Sequence, residues 1–325
     1  MTYSSARGLR AALMAGLVGI APAGLAQSWP AKSVRVIVPF GAGGGTDIQG
    51  RVLGKKFYES MGQTFVIDNR AGAGGMIGAE LAAKSPPDGY TVLFTTASLS
   101  VNVTLYAKSA SFDPLKDLVP VSLVSSTPLV LAVHPSVPAK NVKELIALAK
   151  SRKGGMNAGS NGSGTTSHLT IEMLKQAAGI DLTHIPYKGG GPATTALVSG
   201  EIDFIFTTIL SVYPQVKAGR LRALAVTTAK RSSAAPEIPT MGETLRGFES
   251  DNWYAFFVPV GTSKEIIAKL NSEIIKALKA PDVVDYMVKD GADPVGGTPE
   301  QLASVFRTEV AKYAKLIKAA GIKPE

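Results

Sequence analysis

The chain has 325 residues and no cysteine. That excludes disulfides, thiolate metal sites and cysteine nucleophiles together. Its three histidines, His134, His168 and His184, form no H-x-x-x-H pair, so the sequence gives no support to a zinc site. Arginine-rich runs and basic blocks interleaved with aromatics are missing despite a formal charge of +9, and nucleic-acid binding is not expected. A Gly-Lys-Ser/Thr phosphate loop is missing too. So is the G-x-S-x-G elbow: Ser160 has Ala158 two residues before it and Ser163 has Asn161. After residue 26 no segment looks like a membrane span.

The first 26 residues stand apart. Arg7 and Arg10 precede an apolar run over 11–26 that contains Pro22 and ends Ala23-Gly24-Leu25-Ala26 before Gln27. The run falls short of the roughly 20 residues a spanning helix needs. A basic start, a short apolar core and small residues at the end predict a secretory signal peptide, rather than an uncleaved anchor. Without Arg7 and Arg10 the balance is about +7. That mildly basic surface favours encounter with anionic small molecules.

Strands and helices then alternate. A β-branched strand over 34–38 meets the glycine-rich Pro39-Phe40-Gly41-Ala42-Gly43-Gly44-Gly45-Thr46-Asp47, followed by a helical pattern over 47–60. A strand over 64–68, a second cluster Gly72-Ala73-Gly74-Gly75, a helix from about 76 to 84 and a strand over 90–95 complete a βαβαβ order. That order argues for an open, mostly parallel sheet. The pattern restarts between about 129 and 251, with a second glycine and hydroxyl loop over 159–167. Capping boxes are expected at Thr46–Gln49 and Thr262–Glu265, and Thr298 precedes Pro299 at a third helix start. Two such units predict two lobes, with a ligand outside the carboxyl ends of the strands.

Which ligand the loops hold is constrained by what they lack. Gly41-Ala42-Gly43 begins a dinucleotide fingerprint, and Asp68 sits where a ribose-binding acid would, but Thr46 occupies the third glycine position. Neither loop contains an acid–base pair, and an enzyme is not expected. Each does bring N–H groups, hydroxyls and a helix start together, as anion sites do. On the residues alone, the glycines could equally serve only tight turns.

The motifs together resemble those of the Bug family, the TctC-like solute receptors of tripartite tricarboxylate transporters. The resemblance covers essentially the whole chain after the leader. It rests on P-F-x-x-G-G-x-x-D at 39–47, on Asn69-Arg70-Ala71-Gly72-Ala73-Gly74-Gly75, and on Pro87-Asp88-Gly89-Tyr90-Thr91. Phe112-Asp113-Pro114 and Lys116–Val121 resemble a further family stretch, and Ser160, Gly162, Gly164, Thr165 and His168-Leu169 match S-x-G-x-G-S-x-x-H-L with threonine at 165. Pro186-Tyr187-Lys188-Gly189 and Gly200-Glu201-Ile202-Asp203-Phe204 complete the set. The resemblance implies an α/β, two-lobed type II periplasmic binding protein fold, each lobe a mostly parallel sheet flanked by helices. Lobe 1 would comprise 27–128 and 252–325, and lobe 2 would comprise 129–251. The implied protein is a periplasmic receptor, expected as a monomer without cofactor. It would hold a small organic carboxylate, a di- or tricarboxylate with aromatic acids included, through loop amides, hydroxyls and water, then deliver it to membrane transporter subunits, or to a sensor; a nucleotide-linked enzyme is the remaining alternative. The expected ligand residues are Phe40, Gly43, Gly44, Thr46 and Asp47 in the first loop, and Ser160, Gly162, Gly164 and Thr165 in the second. Thr96, Ser98 and Thr207 at strand ends complete them. Trp253 and Tyr254 fit hinge packing better than ligand contact.

Overall fold

The computed structural model describes Met1 and residues 29–323, apart from 233 and 290, so nearly all of the expected signal peptide lies outside the described residues. Strand β1 (Val34–Val38), helix α1 (Gly45–Met61), β2 (Phe65–Asn69), α2 (Met76–Ala83) and β3 (Thr91–Thr96) form a parallel unit in the order β2-β1-β3. Helices α3 (Ser98–Leu105) and α4 (Pro114–Asp117) lead into a long strand, β4 (Leu118–Val133). The second unit runs α5 (Val142–Ser151), β5 (Met156–Ser160), α6 (Thr166–Ala178), β6 (Leu182–Pro186), α7 (Gly190–Ser199), β7 (Phe204–Thr208), α8 (Ile209–Lys217) and β8 (Arg222–Val226). The chain returns through β9 (Asp251–Pro259), α9 (Lys264–Leu278), α10 (Pro281–Lys289), β10 (Asp293–Pro294) and α11 (Pro299–Ala320).

Alternation along the strands explains the layers. Val34, Val36 and Val38 pack with Leu53, Phe57, Leu270 and Ile274 on one face, while Ile37 and Leu93 pack with Ala79, Leu302 and Phe306 on the other. The second unit repeats this arrangement. Leu129, Leu131 and Val133 face α5 and α6, whereas Val130, Ala132 and Ile205 face α7 and α8. Side chains two apart share a face, so each unit is a sheet between two helical layers.

The two parallel units are joined by antiparallel strands. β4 pairs with β9 from Leu118 to Pro128, then with β7 and β8 from Leu129 onward. The sheet order is β2-β1-β3-β9-β4-β7-β5-β6, with β8 and β10 also on β4. The strands that change direction are therefore the ones carrying the chain between units. Among the described residues, no helix is long and apolar enough to cross a membrane.

Two of the expected caps take another form. Gly44, not Thr46, is the N-cap of α1, because the helix already begins at Gly45. Ser263, not Thr262, caps α9 by accepting from Ile266 N, while the Thr262 hydroxyl donates to the Pro259 carbonyl at 2.7 Å. The Thr298–Gln301 box forms, with Pro299 at the first helical position.

Phe256 is buried at the centre of the first core, 4.6 Å from the Phe94 ring and 5.8 Å from the Phe57 ring. Phe256→Ala is expected to destabilise the protein by about 3–5 kcal/mol, read from the midpoint of urea unfolding.

Candidate ligand-binding site

At the carboxyl ends of the parallel strands, helix starts from both units meet. A small chamber of about 20 Å³ is lined by Phe40, Gly44, Gly45 and Thr46 at the start of α1, and by Thr96 and Ser98 at the start of α3. Gly190 at the start of α7, Thr208 and Ser211 around the start of α8, Asn161, Asn252 and Tyr254 close it. None of these side chains is charged. A space this size holds one or two waters, or the head of one small group.

The capping pattern separates these helices from five others. Helices α4, α5, α6, α9 and α11 each have a side chain that accepts from a first-turn N–H. The N-caps of α1, α3, α7 and α8 are Gly44, Ala97, Gly189 and Thr208, and none supplies a side-chain cap. The first amides of a helix have no intrahelical partner. Four starts that lack an N-cap side-chain acceptor therefore direct partial positive charge at one neutral chamber, with the Thr96 hydroxyl accepting from Ser98 N–H of α3 at 3.2 Å.

Close main-chain approach makes the convergence possible. Gly41 N–H donates to the Lys188 carbonyl across the two units at 2.6 Å. A Cβ on Gly44 would lie 3.4 Å from the amide nitrogens of both Gly190 and Gly191. On Gly191 it would overlap the Ala42 carbonyl, and on Gly45 the Tyr254 hydroxyl. Gly45 N–H also donates to Ser211 Oγ at 3.1 Å, and Thr166 N–H to Ser98 Oγ at 3.3 Å.

The twelve residues expected from sequence divide into three groups. Phe40, Gly44, Thr46, Thr96 and Ser98 line the chamber. Gly162 lines an adjoining, larger space, which shares Phe40 and Asn161 with the first. Of the remaining six, all but Thr207 belong to the loops and their bracing. Asp47 accepts from Gly43 N–H at 3.0 Å and from Arg51 Nη2 at 2.8 Å. Burial alone would raise the Asp47 pKa, but the Arg51 and Gly43 hydrogen bonds outweigh it and hold the carboxyl below its ordinary value. Ser160 Oγ bonds His184 Nε2 at 2.6 Å and accepts from Gly162 N–H. Thr165 caps α6 and donates to the Gly162 carbonyl at 2.6 Å, so the start of α6 is already satisfied. Gly164 packs against Asn102, Leu105 and Tyr106. The buried Thr207 hydroxyl has no partner among the described residues and does not line the chamber.

Trp253 and Tyr254 part company, as neighbours on a strand do. Trp253 Nε1 donates to Glu309 on α11 at 2.6 Å, away from the chamber. Tyr254 lines it; burial raises its pKa, and the phenol stays a neutral donor beside Thr208. Gly45, Asn161, Gly190, Thr208, Ser211 and Asn252 also line the chamber and are not among the twelve. A signal for Gly190 existed: Gly189-Gly190-Gly191-Pro192 combines glycines with a proline in a first helical turn.

The model of the tripartite tricarboxylate transporter family receptor, TctC, matches residues 50–322. The chain belongs to this family. BugT of Bordetella pertussis is 38% identical over 308 residues, covering 94% of each chain. A solved R. palustris protein with adipate is 35% identical, has a TM-score of 0.88, and is matched over 91% of this chain and 100% of its own. MatC from Rhodopseudomonas palustris, with bound malate, is 30% identical, has a TM-score of 0.84, and is matched over 89% and 99%. These are receptors, not enzymes, and the TctC-family chain shares their two-lobed periplasmic-binding-protein fold.

Gly191→Ala is expected to hold the α1 and α7 starts apart, because the new methyl overlaps backbone rather than a flexible side chain. Small-angle scattering should show a larger radius of gyration than the wild type, with unchanged helix content by circular dichroism.

Proposed function

We propose that this protein is a periplasmic receptor that captures a small organic carboxylate between two lobes and delivers it to the membrane subunits of a tripartite tricarboxylate transporter. The observation that carries this reading is the meeting of four helix starts, none capped by the side chain of its own N-cap residue, at a chamber without charged side chains. Each helix start stabilises an anion by about 0.3–1 kcal/mol at a surface and up to about 2 when partly buried. Several together offset the loss of a carboxylate's hydration without an arginine. Adipate and malate in the two solved relatives are consistent with that chemistry.

In this reading lobe 1 is 27–128 with 252–325, and lobe 2 is 129–251. The joining strands β4 and β9 flex near Pro128 and Asp251, where pairing changes from one unit to the other. Gly41 to Lys188, Gly45 to Ser211 and Thr166 to Ser98 are then the contacts of the closed form. Closure around the ligand presents a surface for the membrane subunits, and the receptor acts as a monomer.

Thermal unfolding of residues 27–325 against a panel of mono-, di- and tricarboxylates, with NADH included, tests this reading. An acid at 100 times its dissociation constant stabilises by about 2.7 kcal/mol, a shift of several degrees. A rise in Tm with carboxylates and none with NADH is expected. A shift with NADH alone contradicts the proposal.

A further inference from the structure

The second loop is tied at both ends to a pair of imidazole rings. His168 in α6 and His184 in β6 lie face to face, with 3.8 Å between ring centroids and planes 5° from parallel. Gly164 N–H donates to His168 Nδ1 at 3.2 Å. At the other end Ser160 Oγ, which accepts from Gly162 N–H, meets His184 Nε2 at 2.6 Å. Between these ties stand Asn161, which lines the chamber, and Gly162 and Ser163, which line the adjoining space.

The tie at Gly164 fixes a protonation state. An amide can donate to Nδ1 only while that nitrogen is bare, so the neutral ring carries its hydrogen on Nε2. A proton at Nδ1 sets N–H against N–H, and Gly164 must move. The loop it belongs to leans on the first unit: a Cβ on Gly164 would overlap Asn102 Oδ1, and one on Gly74 would overlap the Ser163 carbonyl. A shift at Gly164 therefore disturbs both the lining residues and the contact between units. The parallel ring of His184 closes one face of His168, which is 6% exposed. Like charges at stacking distance repel, so the pair accepts one proton and not two.

The charges around His168 are those of its neighbouring elements. On α6 itself Glu172 Oε1 lies 3.9 Å from Nε2, and Lys175 pairs with Glu172 at 3.1 Å. Strands β5 and β7 bring no charged side chain, and β6 brings His184. After α3, Tyr106 packs against Gly164. Helix α11 meets α6 at Leu169 and Met173 and brings Lys312, Tyr313 and Lys315, while its Glu309 accepts from Trp253 and Ser100.

We infer that His168 is a positioning residue whose bare Nδ1 holds the second loop in its capture geometry, so that the receptor gives up its carboxylate as the surroundings acidify. The inference rests on the carboxylate reading above and adds a control of affinity to it. Binding is full where His168 is neutral and is lost as pH falls, because the proton and the loop amide compete for one nitrogen.

Calorimetry with adipate and with malate at pH 6, 7 and 8 would compare the wild type with His168→Asn and Glu172→Gln. One proton expelled on capture sets a ceiling of about ten-fold per pH unit. A rise in Kd of about three-fold or more from pH 8 to pH 6 is expected for the wild type, the range in which imidazoles titrate. His168→Asn offers an amide oxygen in place of Nδ1 and takes up no proton; it should bind at pH 8 as the wild type does, with a flat profile. Glu172→Gln removes the carboxylate that favours the charged ring, and should move the acid loss to lower pH. Nitrogen NMR of the wild type at pH 8 should show His168 with its hydrogen on Nε2. A flat wild-type profile, an unchanged slope in His168→Asn, or a neutral His168 protonated on Nδ1 overturns the inference and leaves the carboxylate reading standing. A wild type that binds neither acid at any pH overturns both.

Discussion

Two main chains can come this close only where side chains are missing. Gly41 to Gly44 on one unit and Gly189 to Gly191 on the other meet with backbone against backbone, and a methyl group at Gly191 would overlap the Ala42 carbonyl. The rest of the site depends on that approach. It brings the start of α7 against the start of α1 and seats Ser211 under Gly45 N–H. It also leaves the chamber lined by amides and hydroxyls instead of side-chain charge. The glycines cost conformational entropy that the two packed units must supply. Elsewhere, rigidity comes from side chains: Arg51 and Gly43 fix Asp47, and Ser160 and His168 hold the stacked His184, whose ring lies 3.8 Å from that of His168.

A neutral chamber suits a receptor that must let go. A buried arginine would hold a carboxylate through two parallel hydrogen bonds, and its own charge would be left uncompensated when the ligand departs. Helix starts carry no net charge, so emptying the site strands no ion.

Local signals in the sequence foretold local structure. The β-branched run at 34–38 and the Thr298–Pro299 start both act within a few residues of themselves. The helix start at Gly45 shows the limit. Thr46 and Gln49 have the spacing of a cap, yet Thr46 lies inside the helix, which already begins at Gly45. Long-range partners were not legible at all. Ser211 and Tyr254 reach the α1 start from far along the chain, brought there by the order β3-β9-β4-β7. The second loop illustrates the same point. Its hydroxyls resembled ligand contacts, but Ser160 and Thr165 are occupied with His184, Gly162 and the α6 amides. Neighbouring Asn161 lines both spaces instead.

The central claim is that an anion is held here by peptide groups and hydroxyls, with no cation at the inner end. A crystal structure of the protein with the acid that stabilises it most would test that directly. One carboxylate is expected in the inner chamber, within hydrogen-bond distance of first-turn amides of α1 and α7 and of hydroxyls among Thr96, Ser98, Thr208 and Ser211, with no lysine or arginine touching it. A carboxylate seated on an arginine or lysine at that end, or bound outside the meeting of the helix starts, would contradict the account.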